Sequence, residues 1–396
     1  MENKILFEIK VGKEYRNTEC KQLYNKNMGI DVKMQNMNTQ IYGTFGPSCK
    51  SQEILEEMIK AGMTGMRLNL SHTTLEKSKE YIDNYRNVAK KCEVMPQILI
   101  DMQGPELRVG DMKELSLEVG EVVLLKESEL DREVKEDNNT WKGVDEIQSM
   151  PKEIPVPSAV LSVIKIGNEV LLDDGKIRIR IEEVNSYDAK AKVLIGGNLK
   201  PHKSIKIVDV NVIMPVLTPH DIANIRLAKE FGVTALMQPF VYSGEDLEQV
   251  KEILKEERAE EIQVFAKIEN RIGAANLENI LPKADMIIIA RGDLGNDMPL
   301  WELPVIQKQI EEACKKHGKP YMVVTQMLAS MEQNPVPTRA EVSDIFHAVY
   351  HGAGAVMVTG ETAVGKHPVE VIRYLANTAK EAEMYQAMEN EKAGIN

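Results

Sequence analysis

The sequence contains little that could cross-link a fold or bind zinc through thiolates. Its 396 residues include four cysteines, Cys20, Cys49, Cys92 and Cys314, which are widely spaced and form no C-x-x-C pair. Zinc sites and disulfide frameworks need paired or closely spaced cysteines, so neither is predicted. We therefore expect buried or idle thiols in the reduced state.

Long apolar runs and positive charge are also scarce. No stretch approaches the roughly 18 apolar residues of a membrane span, and the N-terminus lacks the pattern of a signal peptide. The 49 basic residues are outnumbered by 61 acidic ones, which gives a net charge of −12. Such a chain repels nucleic acids and anionic membranes. We expect a cytoplasmic protein without either partner, in which an anionic substrate would need a local cationic pocket.

The composition is that of an ordinary globular protein, with 43% hydrophobic and 28% charged residues. Short apolar runs alternate with longer amphipathic stretches, which predicts parallel strands covered by helices on both faces. The candidate strands are Ile41–Phe45, Gly65–Leu70, Gln97–Asp101, Ala235–Phe240, Val264–Ile268, Met286–Ala290, Tyr321–Thr325 and Ala355–Thr359. These strand–helix units predict an α/β fold, a closed (β/α)8 barrel of the TIM type.

A long gap separates the third candidate strand from the fourth, and within it the pattern changes to period two. Lys176–Val184 alternates apolar and polar residues, and Asp174-Gly175 before it is a hairpin signal. A small β-barrel-like domain is therefore predicted as an insertion after strand three. The predicted domains are residues 1–40, an N-terminal arm; 41–104, the first part of the barrel; 105–212, the insertion; and 213–396, the second part of the barrel.

Charged residues follow several of the strands, at the end of the barrel where such folds carry their chemistry. Glu269 and Asp293 follow the fifth and sixth strands. Two neighbouring carboxylates predict a Mg²⁺ or Mn²⁺ site, whereas the alternative is an ion pair with Arg291 or Lys267. Arg67 and Lys267 would face that metal as cations, an arrangement suited to phosphoryl transfer.

Side chains with uncharged or anionic oxygen atoms lie at the ends of the second and third strands. Asn69, Ser71 and Asp101 could hold a second, weakly bound monovalent cation, although Asn-x-Ser could instead cap the next helix. Gly292 opens a Gly-Asp-Leu-Gly segment that indicates a tight turn into a short helix. The amides at the start of that helix could bind a carboxylate or phosphate, and a plain turn is the alternative.

Several blocks in register across residues 41–381 resemble the pyruvate kinase family. They are Ala61–His72, Asp101–Arg108, Lys267–Asn270, Ala290–Gly295, Thr325–Leu328, Pro337–Asp344 and Gly360–Ala363. The resemblance implies a glycolytic phosphotransferase that moves the phosphoryl group of phosphoenolpyruvate to ADP, giving pyruvate and ATP. The chain ends where that family's C-terminal domain would begin, so we expect a barrel and a lid without the regulatory domain.

The resemblance also implies a role for each site residue. Lys267, Arg67 and Thr325 would be catalytic, with both cations on the phosphoryl group, Lys267 also on the enolate, and Thr325 relaying the proton to carbon. Binding of substrate and nucleotide would fall to His72, Lys203, Arg108 and Gly292; Mg²⁺ or Mn²⁺ would be held by Glu269 and Asp293; and K⁺ would be held by Asn69, Ser71, Asp101 and the Met102 carbonyl. Glu106 matches the acid that accompanies K⁺ dependence. The insertion would close as a lid that excludes water.

Some positions depart from the family pattern. Pro239 and Tyr242 stand where the family has serine and arginine, and the segment Lys203–Val208 differs from the usual Lys-Gly-Val-Asn-Leu-Pro. Two alternatives therefore stay open: a catalytically weak pyruvate-kinase-like binding or regulatory protein, and a metal-dependent aldolase or lyase acting on pyruvate-like enolates. Self-association through the barrel helices near Thr338–Asp344 is a further expectation from the resemblance.

Overall fold

The computed structural model describes residues 38–71, 73–104, 106–128, 151–173, 175–185, 187–208, 210, 212 and 215–392. Most of the predicted N-terminal arm and the candidate nucleotide-binding residue His72 lie outside these ranges. Cys20 does as well, whereas Cys49, Cys92 and Cys314 are free thiols, in agreement with the expected absence of disulfides among them.

Eight parallel strands close into a barrel, which confirms the predicted fold. In chain order the strands of the protein are β1 (Gln40–Thr44), β2 (Gly65–Asn69), β3 (Gln97–Asp101), β4 (Leu115–Leu117), β5 (Val122–Glu127), β6 (Lys152–Val156), β7 (Glu169–Leu172), β8 (Ile177–Val184), β9 (Asp188–Ile195), β10 (Gly197–Leu199), β11 (Ile205–Ile207), β12 (Ala235–Gln238), β13 (Gln263–Ile268), β14 (Met286–Ala290), β15 (Tyr321–Val324) and β16 (Ala355–Met357). Around the barrel the order is β1-β16-β15-β14-β13-β12-β3-β2.

Helices cover the outside of the barrel, and a short one lies in the insertion. They are α1 (Gln52–Lys60), α2 (Lys79–Lys91), α3 (Ser158–Val163), α4 (Pro219–Ala228), α5 (Gly244–Glu256), α6 (Arg271–Ala275), α7 (Leu277–Ile280), α8 (Arg291–Asn296), α9 (Leu303–Lys316), α10 (Arg339–Tyr350), α11 (Gly360–Ala363) and α12 (Pro368–Lys392). Among these helices, none combines the length and apolar character needed to cross a bilayer.

The barrel strands are apolar on both faces because each face meets a different core. Side chains such as Leu99, Phe265 and Ile288 fill the inside of the barrel and are buried. Alternate residues such as Ile100 and Ile289 point outward into the layer between strands and helices. The barrel interior is thus packed, which leaves its carboxyl-terminal rim as the place for polar side chains.

The insertion lies between β3 and β12 and has its own core. Its larger sheet has the order β11-β7-β8-β9-β5-β6, and β10 pairs with β4 in a second sheet. β8 alternates buried Ile177, Ile179 and Ile181 with more exposed residues, so the predicted period of two is confirmed. Gly175, with φ +80°, takes the left-handed conformation that the turn before β8 requires.

Five predicted strands extend too far at their carboxyl ends, the first and the second by one residue each. The fourth ends at Gln238 and not at Phe240, the seventh at Val324 and not at Thr325, and the eighth at Met357. Pro239 has no amide hydrogen for the ladder, and Phe240 turns to φ +51°, where its amide donates to the Glu269 carboxylate. The chain leaves the sheet at these points and enters the rim of the barrel.

Candidate functional site at the carboxyl-terminal rim

A buried carboxylate, Asp101 at the end of β3, joins a cation from the neighbouring strand β2 and a cation from β13, which lies on the far side of β12. Its Oδ2 accepts hydrogen bonds from Arg67 Nη2 at 2.6 Å and from Arg67 Nε at 3.0 Å. Its Oδ1 accepts from Lys267 Nζ at 3.1 Å. Arg67 lies on β2 and Lys267 on β13, and the curved sheet brings both side chains to one carboxylate. The predicted catalytic cations are therefore adjacent.

Lys267 continues this chain of charges to Glu269. The Lys267 ammonium lies 2.7 Å from Glu269 Oε1, and Glu269 Oε2 accepts a 2.7 Å hydrogen bond from the Phe240 amide. The ion pair with Lys267, which the sequence offered as the alternative to metal binding, is thus present. Glu269 Oε1 is buried, and its contact with the Lys267 ammonium is an ion pair without good hydrogen-bond geometry, so a lone pair of this oxygen remains for a further ligand.

Burial and charge act against each other in this cluster. Burial raises the pKa of the Glu269 carboxyl to about 8, because the charge of Lys267 only partly offsets the loss of solvent. Burial also acts to raise the pKa of Asp101, but the charges of Lys267 and Arg67 outweigh it and hold that pKa below its usual range. Burial favours the neutral form of Lys267, yet Asp101, Glu269 and Asp293 together raise its pKa.

Asp293 faces the same space from the first turn of α8. It lines, together with Glu269 and Asn270, a cavity of about 130 Å³ between the barrel rim and the insertion. Two carboxylates with water and substrate oxygens suit Mg²⁺, which keeps part of its shell from outside the protein. Within the described ranges, no group of three or more His, Cys, Asp or Glu side chains is arranged to hold a metal. The donor set thus fits a cation completed by substrate and not a cage made by protein alone.

The candidate K⁺ ligands lie on neighbouring strand ends. Asn69 and Asp101 are partners in the β2–β3 register, and Asn69 Oδ1 accepts a 3.1 Å hydrogen bond from the Ser71 amide. That contact is a local Asx turn and not the predicted alternative, a cap of the next helix, because α2 begins at Lys79 with Ser78 at its N-cap. Met102 follows Asp101 and is buried, with its amide bonded to the Met237 carbonyl.

Thr325 follows β15 in an uncommon backbone conformation, with φ +74°. Its carbonyl accepts hydrogen bonds from Arg291 Nη2 at 2.8 Å and Nε at 3.2 Å. Arg291 also forms two hydrogen bonds to Asp344, at 2.7 and 2.9 Å, so it pairs with neither Glu269 nor Asp293. A Cβ at Gly292 would stand 3.0 Å from Thr325 Cγ2, so a side chain at this position would press against Thr325.

The candidate nucleotide-binding cations of the insertion have partners within the insertion. Lys203 Nζ lies 2.8 Å from Asp173 Oδ1, and Arg108 donates to the His202 carbonyl and pairs with Glu106. The structure therefore brings Arg67, Asp101, Lys267, Glu269 and Asp293 to one site, whereas Lys203 and Arg108 belong to the facing insertion.

Sequence reasoning gave no role to two polar residues of the rim. Buried Thr44 accepts a hydrogen bond from Arg67 Nη1 at 3.4 Å, and its own amide donates to Thr362 Oγ1 at 2.8 Å. Asp344 holds the far side of Arg291. Thr44 ends β1, and Asp344 ends the family-like block Pro337–Asp344. These locations were a signal that the two residues belong to the site, but their hydrogen-bond partners lie far away in the sequence.

These features define the class of the protein. It is a closed (β/α)8 barrel with cationic and acidic side chains at its rim and an inserted domain that faces this rim. Its sequence matches the family model described as "Pyruvate kinase, barrel domain" over residues 36–372. It is 36% identical over 353 residues to a pyruvate kinase of Staphylococcus aureus and 37% identical over 353 residues to one of Staphylococcus epidermidis. Each alignment covers 88% of this chain and 57% of the relative. The chain belongs to the pyruvate kinase family, and it spans little more than half the length of these curated relatives.

Proposed function

We propose that the protein is a phosphotransferase that moves the phosphoryl group of phosphoenolpyruvate to ADP, giving pyruvate and ATP in glycolysis. The observation that carries this proposal is a buried series of ion pairs that links Arg67 to Asp101, Asp101 to Lys267 and Lys267 to Glu269. It lies next to Asp293 and a cavity facing the insertion. Phosphoryl transfer needs positioning and charge neutralisation more than covalent chemistry by the protein, and this arrangement supplies both.

The roles follow from position. Arg67 and Lys267 would bind the oxygens of the transferring phosphoryl group, because hydrogen bonds to Asp101 hold both cations next to each other. Lys267 would also stabilise the enolate that remains when the phosphorus–oxygen bond breaks, since it stays charged when buried. The Thr325 hydroxyl would relay a proton to the methylene carbon, and the amides near Gly292 would bind the substrate carboxylate.

Divalent metal belongs to this proposal through Glu269 and Asp293. The two-carboxylate donor set of Glu269 and Asp293 at the cavity supports Mg²⁺ or Mn²⁺, which when bound supplies positive charge that neutralises substrate oxygens. For K⁺ we propose Asn69, Ser71, Asp101 and the Met102 carbonyl. A carboxylate offers about four lone-pair positions. Arg67 and Lys267 use three of those of Asp101, so a weak fourth contact is compatible with the geometry.

The insertion would act as the lid, with Lys203, Arg108 and His72 contacting the nucleotide. The pairing of Lys203 with Asp173 means that a nucleotide phosphate would compete with a carboxylate for this ammonium. The domain boundaries, a cytoplasmic location and self-association through the helices near Thr338–Asp344 stay predictions of the same proposal.

A second candidate is a relative that binds phosphoenolpyruvate but turns it over slowly. Tyr242 and Lys206 line the cavity beside Glu269 and Asp293, at positions where the sequence departs from the family pattern. With these residues in the cavity wall, the protein could still bind phosphoenolpyruvate while the insertion closes over the site in a different way.

The deciding experiment measures ATP formation from phosphoenolpyruvate, ADP and Mg²⁺ by the purified chain, in K⁺ and in a Na⁺ control. Glu269→Ala tests the metal ligand, and exposed Glu278→Ala is the matched control. Turnover that K⁺ stimulates, that Glu269→Ala abolishes and that the control retains would support the phosphotransferase. Absence of ATP together with a higher melting temperature in phosphoenolpyruvate would favour the binding protein. Cleavage or formation of a carbon–carbon bond in pyruvate-like substrates would favour the aldolase or lyase.

A further inference from the structure

The Lys206 side chain of the insertion reaches the barrel beside the acidic pair. β11 alternates buried Ile205 and Ile207, which face the insertion's own core, with Lys206 between them. The Lys206 ammonium lies 2.5 Å from Asp297 Oδ1 on the barrel. The side chains of Lys206 and Asp297 are 32% and 21% exposed, so the ion pair is only half-buried.

Asp297 connects this contact to both candidate metal ligands. It caps the C-terminus of α8, the six-residue helix whose first turn carries Asp293. Its Oδ2 accepts a 2.6 Å hydrogen bond from the Arg271 amide, and Arg271 begins α6 two residues after Glu269. One carboxylate thus binds the insertion with one oxygen and fixes the segment after β13 with the other.

The residues of the cavity wall show which part of the site the Lys206–Asp297 ion pair covers. Lys206 and Asp297 line it together with Tyr242, Glu269 and Asp293. If the insertion moved away from the barrel, β11 would withdraw and the Lys206–Asp297 ion pair would break. Partly exposed ion pairs contribute little stability, so this contact is weak enough to form and break during turnover.

We propose that Lys206 is a positioning residue that holds the insertion closed over the Glu269–Asp293 side of the site through Asp297. The proposal rests on the proposed function, in which the insertion must exclude water from the enolate. Lys206 touches no reacting atom in this role. Its effect is to place β11 and, through Asp297, to tie closure to the helix that carries Asp293.

The test compares Lys206→Ala with Lys190→Ala, whose ammonium pairs at 2.8 Å with Glu183 on the same inserted sheet, where β7 and β8 separate β9 from β11. We expect Lys206→Ala to raise KM for phosphoenolpyruvate about 5-fold, the effect of about 1 kcal/mol. It should also increase the fraction of phosphoenolpyruvate consumed as pyruvate plus inorganic phosphate, because water would replace ADP as acceptor. Lys190→Ala should match the unmodified protein on both measures.

Two variants separate a charge effect from loss of packing. Lys206→Arg keeps the cation and should restore the KM, whereas Asp297→Asn keeps an oxygen for the Arg271 amide and removes the charge. Asp297→Asn should reproduce the Lys206→Ala defect, and the double variant should be no worse than either single one. Additive defects, or failure of arginine to restore the KM, would overturn the proposal.

A readout independent of activity keeps this inference separate from the proposed function. Backbone amides of β11 should exchange with deuterium faster in Lys206→Ala than in Lys190→Ala, without any substrate present. If the protein formed no ATP, the phosphotransferase would be wrong, yet faster exchange would still support the closing contact. Equal exchange in the two variants would show that Lys206 does not hold the insertion.

Discussion

The Arg291 guanidinium donates a 2.8 Å hydrogen bond to the carbonyl of Thr325, a β-branched residue with φ +74°. Threonine is disfavoured in the left-handed region because its branched side chain meets the backbone there. Such a conformation persists only when its surroundings hold it. Asp344 orients the other end of Arg291 through two hydrogen bonds, so the clamp on Thr325 extends from α8 to α10.

Arg291→Met should therefore release Thr325 and lower kcat by about 100-fold, since small misplacements of a catalytic group have effects of this size. If Arg291 acts by positioning Thr325, Arg291→Met combined with Thr325→Ala should be no slower than Thr325→Ala alone. Steady-state kinetics of the four proteins measure this. Multiplied losses in the double variant would contradict the clamp.

Lys267→Met should lower turnover by about 1,000-fold, because one preorganised charge at the developing anion is worth this much. It should also lower the free energy of unfolding by about 3 kcal/mol, because Glu269 loses its buried partner. Urea unfolding and ATP formation measure the two effects. Lys308→Met on the exposed face of α9 is the control, and full turnover by Lys267→Met would refute the assignment.

Mg²⁺ should stabilise the protein through Glu269 and Asp293. A ligand that binds only the folded state adds about 2.7 kcal/mol at a concentration near 100 times its Kd. The melting temperature should rise with Mg²⁺ or Mn²⁺ and fall back when a chelator is added. Glu269→Gln, which keeps the size of the side chain, should remove the shift. The same shift in Glu269→Gln would place the metal elsewhere.

Stability should depend on pH through Glu341 at the start of α10. Burial acts to raise its pKa, but hydrogen bonds from Ser330 and Thr338 outweigh burial and lower the pKa. The stabilisation is therefore present above the unfolded-state pKa, about 4.3, and is lost as the pH falls through the folded-state value. Glu341→Gln should cost about 1 kcal/mol at pH 7 and less at pH 3, which lies below the unfolded-state pKa. Denaturant unfolding at both pH values, with exposed Glu260→Gln as control, checks the difference.

The sequence predicted the barrel and the charged rim because both depend on local signals. Continuous apolar runs marked each strand, and the position of Asp101 or Glu269 after a run was enough to place it at the rim. It could not predict which charges would pair. Arg291 was considered as a partner of Glu269, yet its long side chain turns to Thr325 and Asp344, which are distant in the chain.

The same limit applies to Lys206 and Asp297. Sequence comparison marked the segment Lys203–Val208 as a departure from the family pattern, but only as a difference in the insertion. Its contact with the barrel depends on how the inserted sheet faces the rim, and that relation leaves no periodic signal. Strand ends were likewise overextended where Phe240 and Thr325 turn to positive φ, because apolar character continues after the hydrogen-bond ladder stops.

The position of the insertion between β3 and β12 also bears on how the chain reaches its native state. These two strands are neighbours in the barrel, and Ile98 bonds to Thr234 across a separation of 136 residues. Closing so long a loop is entropically costly and slows folding. The inserted sheets have a core of their own and return the chain to the strand next to the one it left. If the insertion folds early, it shortens the effective loop between β3 and β12. The two parts of the barrel can then pair at a lower entropic cost than 136 residues of unfolded chain would require.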